Sequence, residues 1–549
     1  MGNDGRPNRR LARFRVGIEV RSLGRGGLEG VVAQLVRGLP TEAIEPIVFC
    51  TEAGGETADE LRREGALVEV LSAADRATEI EVLLREHGID LLNTHFSTLG
   101  SAAAARLGIP VVATLHNSYA WLGRAAWDDF RTAARHVTAW IAVSEGVADF
   151  CARRFAIDRE RIEVVPNGAR FARVRDTIVD RRRRRERLGV ASEAEFILQV
   201  GAVCRVKSQL ALVDAVETLR HQRPGLVAWM VGPTVEADYA ETVQRRIAEA
   251  GLDGRVVLAG PRDDIVDLLG AADAFVLPSV IEGSSLAALE ALGSGVPVVL
   301  TRTGDAVELL GESPERAGDA PAKLAGVLVD GPALDPWNVD ADRLREIAGA
   351  EHPAHAPALA RALAEVLDDL PARRAAAVAR AAELAGTRSP ETMCRRTANF
   401  LLRVGAAASA ERARGLEAEL ARERRTIDDL RRTDAEVRAL AGRIAGVESS
   451  VGGVAARLGG VESEVLTVSR TASSTLVVAN RTLEVANRTL EKLRLTARVK
   501  GAWQGWAGRL GARTNATPTP LPSPRPTREG APPPTAPITA AGPVGSRPR

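Results

Sequence analysis

The sequence predicts an α/β protein of two doubly wound domains in tandem, followed by a long α-helical coiled coil and a disordered tail. Three observations predict it. Short apolar runs alternate with helical stretches from residue 12, the alternation restarts near residue 195, and past residue 405 it gives way to apolar residues spaced by four and three. A chain of 549 residues also exceeds the roughly 250–300 at which one hydrophobic core stops growing. The boundaries fall at 12–175, 190–404, 407–505 and 512–549.

The first series runs "FRVGIEV", "LEGVVAQLVRGL", "IEPIVFC", "TADELRREG", "LVEVL", "TEIEVLLREHG", "IDLLNTH", "SAAAARLG" and "PVVATLH". Parallel strands need helical crossovers, which bury both sheet faces and make the strands continuously apolar. The second series opens with "EFILQVGAV" and "SQLALVDAVETLRHQ" and closes with "AFVLPS", "SLAALEALGSG" and "VPVVLT". In such sheets ligands bind at the carboxyl ends of the strands, where the strand order reverses. The join, residues 168–190, holds "RRRRRERLG", read as a solvated helix face, with a grip on anionic lipid as the alternative.

Ile444, Val447, Val451, Val454, Leu458, Val461, Val465 and Val468 form a coiled-coil seam, and "ANRTLEV" followed by "ANRTLEK" nearly copies one heptad. Glycine pairs starting at 452 and 459 weaken this helix, so it is expected to need a partner, in a homo-oligomer or with another protein. Leu495, Val499, Trp503, Trp506 and Leu510, among basic residues, read as the end of that coil, with an interfacial helix as the alternative. The proline-rich end cannot build a core.

A net charge of +2 gives no global attraction to nucleic acid, and no nucleic-acid partner is expected. Cys50, Cys151, Cys204 and Cys394 fit no metal or redox spacing and read as free thiols of a reducing compartment. "MGNDGRPNRRLARF" lacks the apolar core of a signal peptide, and no apolar run reaches the roughly 18 residues that span a bilayer. A cytoplasmic protein is expected, with peripheral membrane contact as the alternative.

The chemistry centres on "FVLPSVIEGSSLAALEALGSGVPVV", residues 275–299. Glu282 falls in the loop after a strand, and a helix begins at Ser284 or Ser285, with Glu290 further along it. The first N–H groups of that helix would make an anion site. A ligand with hydroxyls at both ends and phosphates between them, such as a nucleotide sugar, suits this layout. Taken singly, Glu282 reads equally as a complement to the helix dipole and Glu290 as a surface acid. Lys207 follows the strand "FILQVGAV" and opens a helix, where an isolated cation is unfavourable unless an anion binds. Only Lys207, Lys323, Lys492 and Lys500 are lysines, so a lysine at this loop points to a compact charge on phosphate. Gly26 and Gly27, in "SLGRGGLEG", allow close backbone approach and positive φ. His116 ends "VVATLH" at the edge where a ligand would lie.

These pieces, with "GRGGLE", "TLHNS", "IAVSEGVADFC", "IEVVPNG", "VGAVCRVKSQ" and "TGDAVELL", resemble in order and spacing the retaining glycosyltransferases of family 4, over residues 12–404. The resemblance implies two facing Rossmann-like domains (the GT-B fold), with the acceptor on the first and a nucleoside-diphosphate sugar on the second. It implies that Glu282 binds the donor sugar, with the Gly283, Ser284, Ser285 and Leu286 backbone near sugar and distal phosphate, and that Glu290 binds the ribose. Lys207 would neutralise the diphosphate, Gly27 would lie against it, His116 would touch the transferred sugar, and Pro261 and Arg262 would border the base. Residues 385–403 would cross back to the first domain. Many relatives carry arginine where this chain has Ala202, and Arg205 is the candidate to replace it. The acceptor would be a glycan, a lipid or a small molecule, and no metal or other cofactor is expected. Asp340 and Asp342 form an Asp-x-Asp that reads as a capped helix start. The competing readings are a non-catalytic nucleotide-sugar-binding module that assembles through its coiled coil, and an epimerase of the same fold.

Overall fold

The computed structural model describes residues 13–169, 181–311, 325–335 and 339–458. Its first parallel sheet contains β1 (Phe14–Val20), β2 (Ile44–Cys50), β3 (Leu67–Val70), β4 (Leu91–His95), β5 (Val111–Leu115), β6 (Ala139–Ala142) and β7 (Ile162–Val164), in the order β3-β2-β1-β4-β5-β6-β7. The second contains β8 (Glu195–Val200), β9 (Leu226–Val231), β10 (Val256–Gly260), β11 (Ala274–Leu277), β12 (Val298–Thr301) and β13 (Gly326–Val329), in the order β10-β9-β8-β11-β12-β13. Alternate residues enter opposite cores: Val48 and Cys50 of β2 pack with Val16 and Leu35, whereas Ile47 and Phe49 pack with Ile80 and Leu92. Burial on both faces is why these strands read as unbroken apolar runs.

In each sheet the order reverses beside its first strand, between β1 and β4 and between β8 and β11. Chains leaving neighbouring strands there turn to opposite faces and open a crevice at the carboxyl edge. The loops after β8 and β11 carry Lys207 and Glu282, and the loop after β1 carries the glycine turn.

The two edges meet through bare backbone. A β-carbon on Gly283 would lie 1.7 Å from the His116 carbonyl oxygen, and one on Gly146 would lie 2.7 Å from that of Gly304. Only glycine permits such approach. Glu308 of the second lobe accepts the Glu145 N–H at 3.0 Å, so its carboxylate meets the positive end of the first-lobe helix Glu145–Phe155.

The helix Leu370–Ala385 puts Ala376, Ala377 and Leu384 into the second-lobe core. The chain then crosses, and the helix Pro390–Leu458 puts Met393, Cys394, Ala398 and Leu401 into the first. This helix continues unbroken through the first part of the expected coiled coil, with Leu440 and Val447 exposed. The seam beyond Leu458, the stretch 495–510 and the tail 512–549 lie outside the described residues.

The arginine run is solvated on one side, where Arg182, Arg183 and Arg187 are exposed, and corrects the expectation on the other. In the helix Arg181–Leu188, Arg181 and Arg185 pair with buried Asp273, and Arg184 and Arg187 pair with Asp267 at 2.6 and 2.9 Å. Arg185 also donates to the carbonyls of Ala271, Ser192 and Ala194, so it serves as a buried buckle beneath the second sheet. The four cysteines are free and buried. Among the described residues no helix is long and apolar enough to cross a membrane.

Candidate active site

After β8 the chain makes one 3-10 turn, Arg205–Lys207, and Ser208, at a left-handed φ of 49°, starts the helix Gln209–Leu219. Two buried amides hold this loop, Gln199 donating to the Lys207 carbonyl and Gln209 to that of Ala202, each at 2.9 Å. Lys207 Nζ therefore projects across the crevice to Glu282 Oε1 at 2.5 Å. The Ser279 hydroxyl donates to the same oxygen at 2.6 Å. The Lys207 and Glu282 side chains are 24% and 12% exposed, buried enough that solvent screens the pair only in part.

The helix Leu286–Gly293 starts beside them, capped by the Ser285 hydroxyl on the Ala288 N–H at 3.2 Å. The Ser285 amide is engaged within the protein, donating to Asp305 at 3.1 Å. Among the described residues the Leu286 and Ala287 amides have no acceptor, and they are the open donors of this helix end. Asp305 also takes the Ser284 hydroxyl at 2.7 Å and Arg388 Nη1 at 3.0 Å. Burial raises its pKa, and Arg388, Ser284 and Ser285 oppose that rise. Glu290 sits one turn into the helix at an exposed position.

Gly27 opens the helix Gly27–Gly38 and faces Leu286, whose Cδ1 would lie 4.0 Å from a β-carbon there. Neither glycine of this turn uses the positive φ open to it: Gly26 is extended at 178° and Gly27 is helical. Arg25 reaches Asp263 at 3.4 Å, so the glycine turn meets the loop after β10. In that loop Pro261 is exposed, and Arg262 is held by both oxygens of Asp264 at 2.7 and 2.5 Å, with its guanidinium 5.7 Å from the Trp229 ring. Arg205, the candidate for the arginine missing at Ala202, is engaged by acidic side chains of the same lobe. It pairs with Glu236 and, at 2.6 Å, with Asp238, and these partners raise its pKa further.

His116 lies just past β5, and its Nε2 is 2.8 Å from Nδ1 of His95 at the end of β4. His95 Nε2 is 2.9 Å from Asn93 Oδ1. Burial holds His95 down to about 3 and His116 well below the usual imidazole value, so both are neutral near pH 7. On the neighbouring strand β1, Glu19 is fully buried, takes the Ser97 hydroxyl and the Gly100 N–H, and is pushed up to about 7 by burial. Sequence reasoning passed over Asn93, His95, Glu19 and the role of Asp305. The available signal was polar side chains at the carboxyl ends of otherwise apolar strands. Asp340 caps the helix Ala341–Ala348, accepting the Arg343 N–H at 2.9 Å. Among the described residues no three His, Cys, Asp or Glu side chains are grouped to hold a metal.

Two cavities flank this region. One of about 500 Å³ lies between the lobes, lined by Glu282, Ser279, Thr303, Gly146, Phe150 and Leu334. The other, about 270 Å³, lies in the first lobe among Phe96, Tyr119, Trp121 and Phe130, with Arg21 and Asp129 as charged lining. Phe96 and Tyr119 both hold a φ of 53°, a left-handed strain of the kind concentrated at functional sites.

Two family models match in tandem across these lobes: Glycosyltransferase Family 4 over residues 25–173 and Glycosyl transferases group 1 over residues 194–330. The chain belongs to the family 4 glycosyltransferases. Over 306 residues it is 27% identical to the UDP-Gal:alpha-D-GlcNAc-diphosphoundecaprenol alpha-1,3-galactosyltransferase of Escherichia coli, covering 50% of this chain and 76% of that one. It is 28% identical to a D-inositol 3-phosphate glycosyltransferase of Salinispora tropica over 369 residues, 62% of this chain and 72% of that. HepE of Anabaena, solved with UDP, superposes with a TM-score of 0.57 at 20% identity, over 71% of this chain and 100% of that one, which establishes the shared GT-B fold. This chain is a glycosyltransferase using a nucleotide-sugar donor, and Lys207 and Glu282, which its family resemblance singles out, meet at the β8–β11 crevice.

Proposed function

We propose that this glycosyltransferase moves a hexosyl group from a nucleoside-diphosphate sugar to a hydroxyl of a glycan or lipid acceptor, with retention of anomeric configuration. The observation that carries the reading is the Lys207–Glu282 pair at the β8–β11 crevice, beside the open amides of Leu286 and Ala287. Donor binding exchanges that pair: the diphosphate takes the ammonium, and hydroxyls of the sugar donate to the carboxylate. As the bond from the anomeric carbon to the leaving oxygen breaks, negative charge grows on the diphosphate, where Lys207 and the helix amides stabilise it. Glu290 binds the ribose, and the loop at Pro261 and Arg262 borders the base. The acceptor hydroxyl attacks on the face from which the diphosphate departs, and its proton passes to the leaving phosphate oxygen. The reading assigns charge neutralisation to these groups rather than to a metal. The aromatic cavity of the first lobe takes the acceptor, and exposed Leu440 and Val447 support self-association through the long helix.

A thermal-shift panel of UDP-glucose, UDP-galactose and GDP-mannose tests the donor, because selective binding raises the melting temperature by mass action. Proton NMR of the product reads its anomeric configuration. Absence of stabilisation by any sugar nucleotide, or an inverted product, overturns the reading. One observation favours a second reading, donor binding without transfer: Arg205 is engaged by Glu236 and Asp238, which leaves Lys207 as the cation this loop directs at the crevice. Slow release of nucleoside diphosphate from bound donor separates the two, since a binding module releases none.

A further inference from the structure

We infer that Asn93 and His95 are positioning residues that fix the tautomer of His116, making its Nδ1 a hydrogen-bond acceptor toward the bound substrate. The functional part of this inference rests on the glycosyl-transfer reading, whereas the tautomer itself rests on geometry alone.

The assignment starts from an atom that has no choice. The carbonyl oxygen of Val112 only accepts, and the Asn93 side chain lies 2.9 Å from it, so the Asn93 atom facing it is the amide nitrogen. That nitrogen also donates to the Thr114 hydroxyl at 3.0 Å, which fixes the amide in one orientation. Asn93 Oδ1 is then the atom facing His95 Nε2 at 2.9 Å, and since it too only accepts, His95 carries its proton on Nε2. A neutral His95 leaves a lone pair on Nδ1. His116 Nε2, 2.8 Å away, must supply the proton of that bond. Neutral His116 is therefore bare at Nδ1, and no hydrogen bond among the described residues engages that nitrogen. Three links from one backbone carbonyl thus decide which nitrogen His116 offers.

The surroundings hold the chain of bonds in place. Asn93 and His95 are buried in β4, between β1 and β5, and side chains two apart share one face of a strand. The Phe96 ring packs 5.4 Å from that of His116, and the His116 carbonyl abuts Gly283, directly after Glu282. An acceptor at Nδ1 suits a sugar hydroxyl, which then donates to it while remaining free to accept elsewhere.

The test uses the full chain. Nitrogen NMR of histidine-labelled wild type reads the tautomer of each of the seven histidines, with His116 assigned by its loss in His116→Asn. The expected spectrum has His116 protonated on Nε2 and bare on Nδ1. His95→Phe keeps the ring but removes the acceptor, and should lower kcat roughly tenfold to a hundredfold, as loss of a histidine's outer partner does elsewhere, with donor KM changed less than about twofold. His95→Asn restores an acceptor at the distance of Nδ1 and should recover most of that loss. Rates are read as nucleoside diphosphate release from UDP-glucose, UDP-galactose or GDP-mannose. A wild-type His116 protonated on Nδ1, or a His95→Phe protein with unchanged kcat, overturns the inference. If His95→Phe does not fold, or wild type transfers none of these sugars, the wild-type spectrum still decides the tautomer, while failed transfer counts against the glycosyl-transfer reading alone.

Discussion

Replacing Gly283 by alanine should disable transfer while both lobes stay folded. The added β-carbon would lie 1.7 Å from the His116 carbonyl oxygen and 2.8 Å from its carbon, whereas ordinary contact begins at 3.4 Å. The shortfall is 3.4 minus 1.7, or 1.7 Å. Little of it is absorbed locally. His116 directly follows β5, which is laddered to β4 and β6, and Gly304 presses on Gly283 from behind, so that a β-carbon at 304 would itself stand 2.6 Å from the Gly283 oxygen. The lobes must therefore part, carrying His116 and Gly27 away from Glu282, Lys207 and Leu286. Misplacing reacting groups by about 1 Å costs on the order of 10²-fold, so kcat/KM should fall at least that far. Gly283 puts no side chain into any of the hydrophobic cores, so the melting temperature should move by only a few degrees. Initial rates of nucleoside diphosphate release and a thermal melt measure the two effects. An alanine variant with wild-type rates would refute the claim that this contact sets the catalytic spacing.

Three further outcomes follow from the same geometry. Lys207→Ala should lower kcat by about 10²- to 10³-fold, the usual cost of one preorganised charge-stabilising group, in a protein still folded by circular dichroism. Asp305→Asn breaks the ion pair of Arg388, 5% exposed, and should destabilise the fold by about 3 kcal/mol in urea titrations, while Asp305→Asn with Arg388→Met should recover much of the loss. Glu19 has a folded pKa of about 7 against 4.5 when unperturbed, so between those values the folded protein keeps a proton that the unfolded chain has lost. Stability should then fall as pH rises through that window, by about 3 kcal/mol in total, and Glu19→Gln, uncharged throughout, should remove the dependence in urea melts.

Both sheets were legible because strands covered on both faces must be apolar throughout, and "FILQVGAV" or "AFVLPS" looks like little else. Lys207 and Glu282 were legible one at a time, each at the end of such a strand. Their ion pair was not, since the two are 75 residues apart and meet only because β11 inserts beside β8. The partners of Arg205 were hidden for the same reason, lying 31 and 33 residues away at the start of another helix. The arginine run shows the converse: composition suggested a solvated strip, which holds for Arg182 and Arg183, but Asp273 and Asp267, brought close by the fold, draw Arg185 and Arg184 inward. Asn93 and His95 escaped notice because one polar side chain in a strand says nothing about its neighbour until strand pairing is known.

Pairing Lys207 with Glu282 has a consequence for discrimination. An incoming pyrophosphate that captures the ammonium strands a carboxylate, and only the hydroxyls of an attached carbohydrate relieve it. A free nucleotide satisfies one partner and abandons the other; a free monosaccharide does the reverse. Under the proposed function, intact donor alone would rehouse both, so the crevice would prefer the whole molecule over either fragment and loosen its hold once the bond between them is cut.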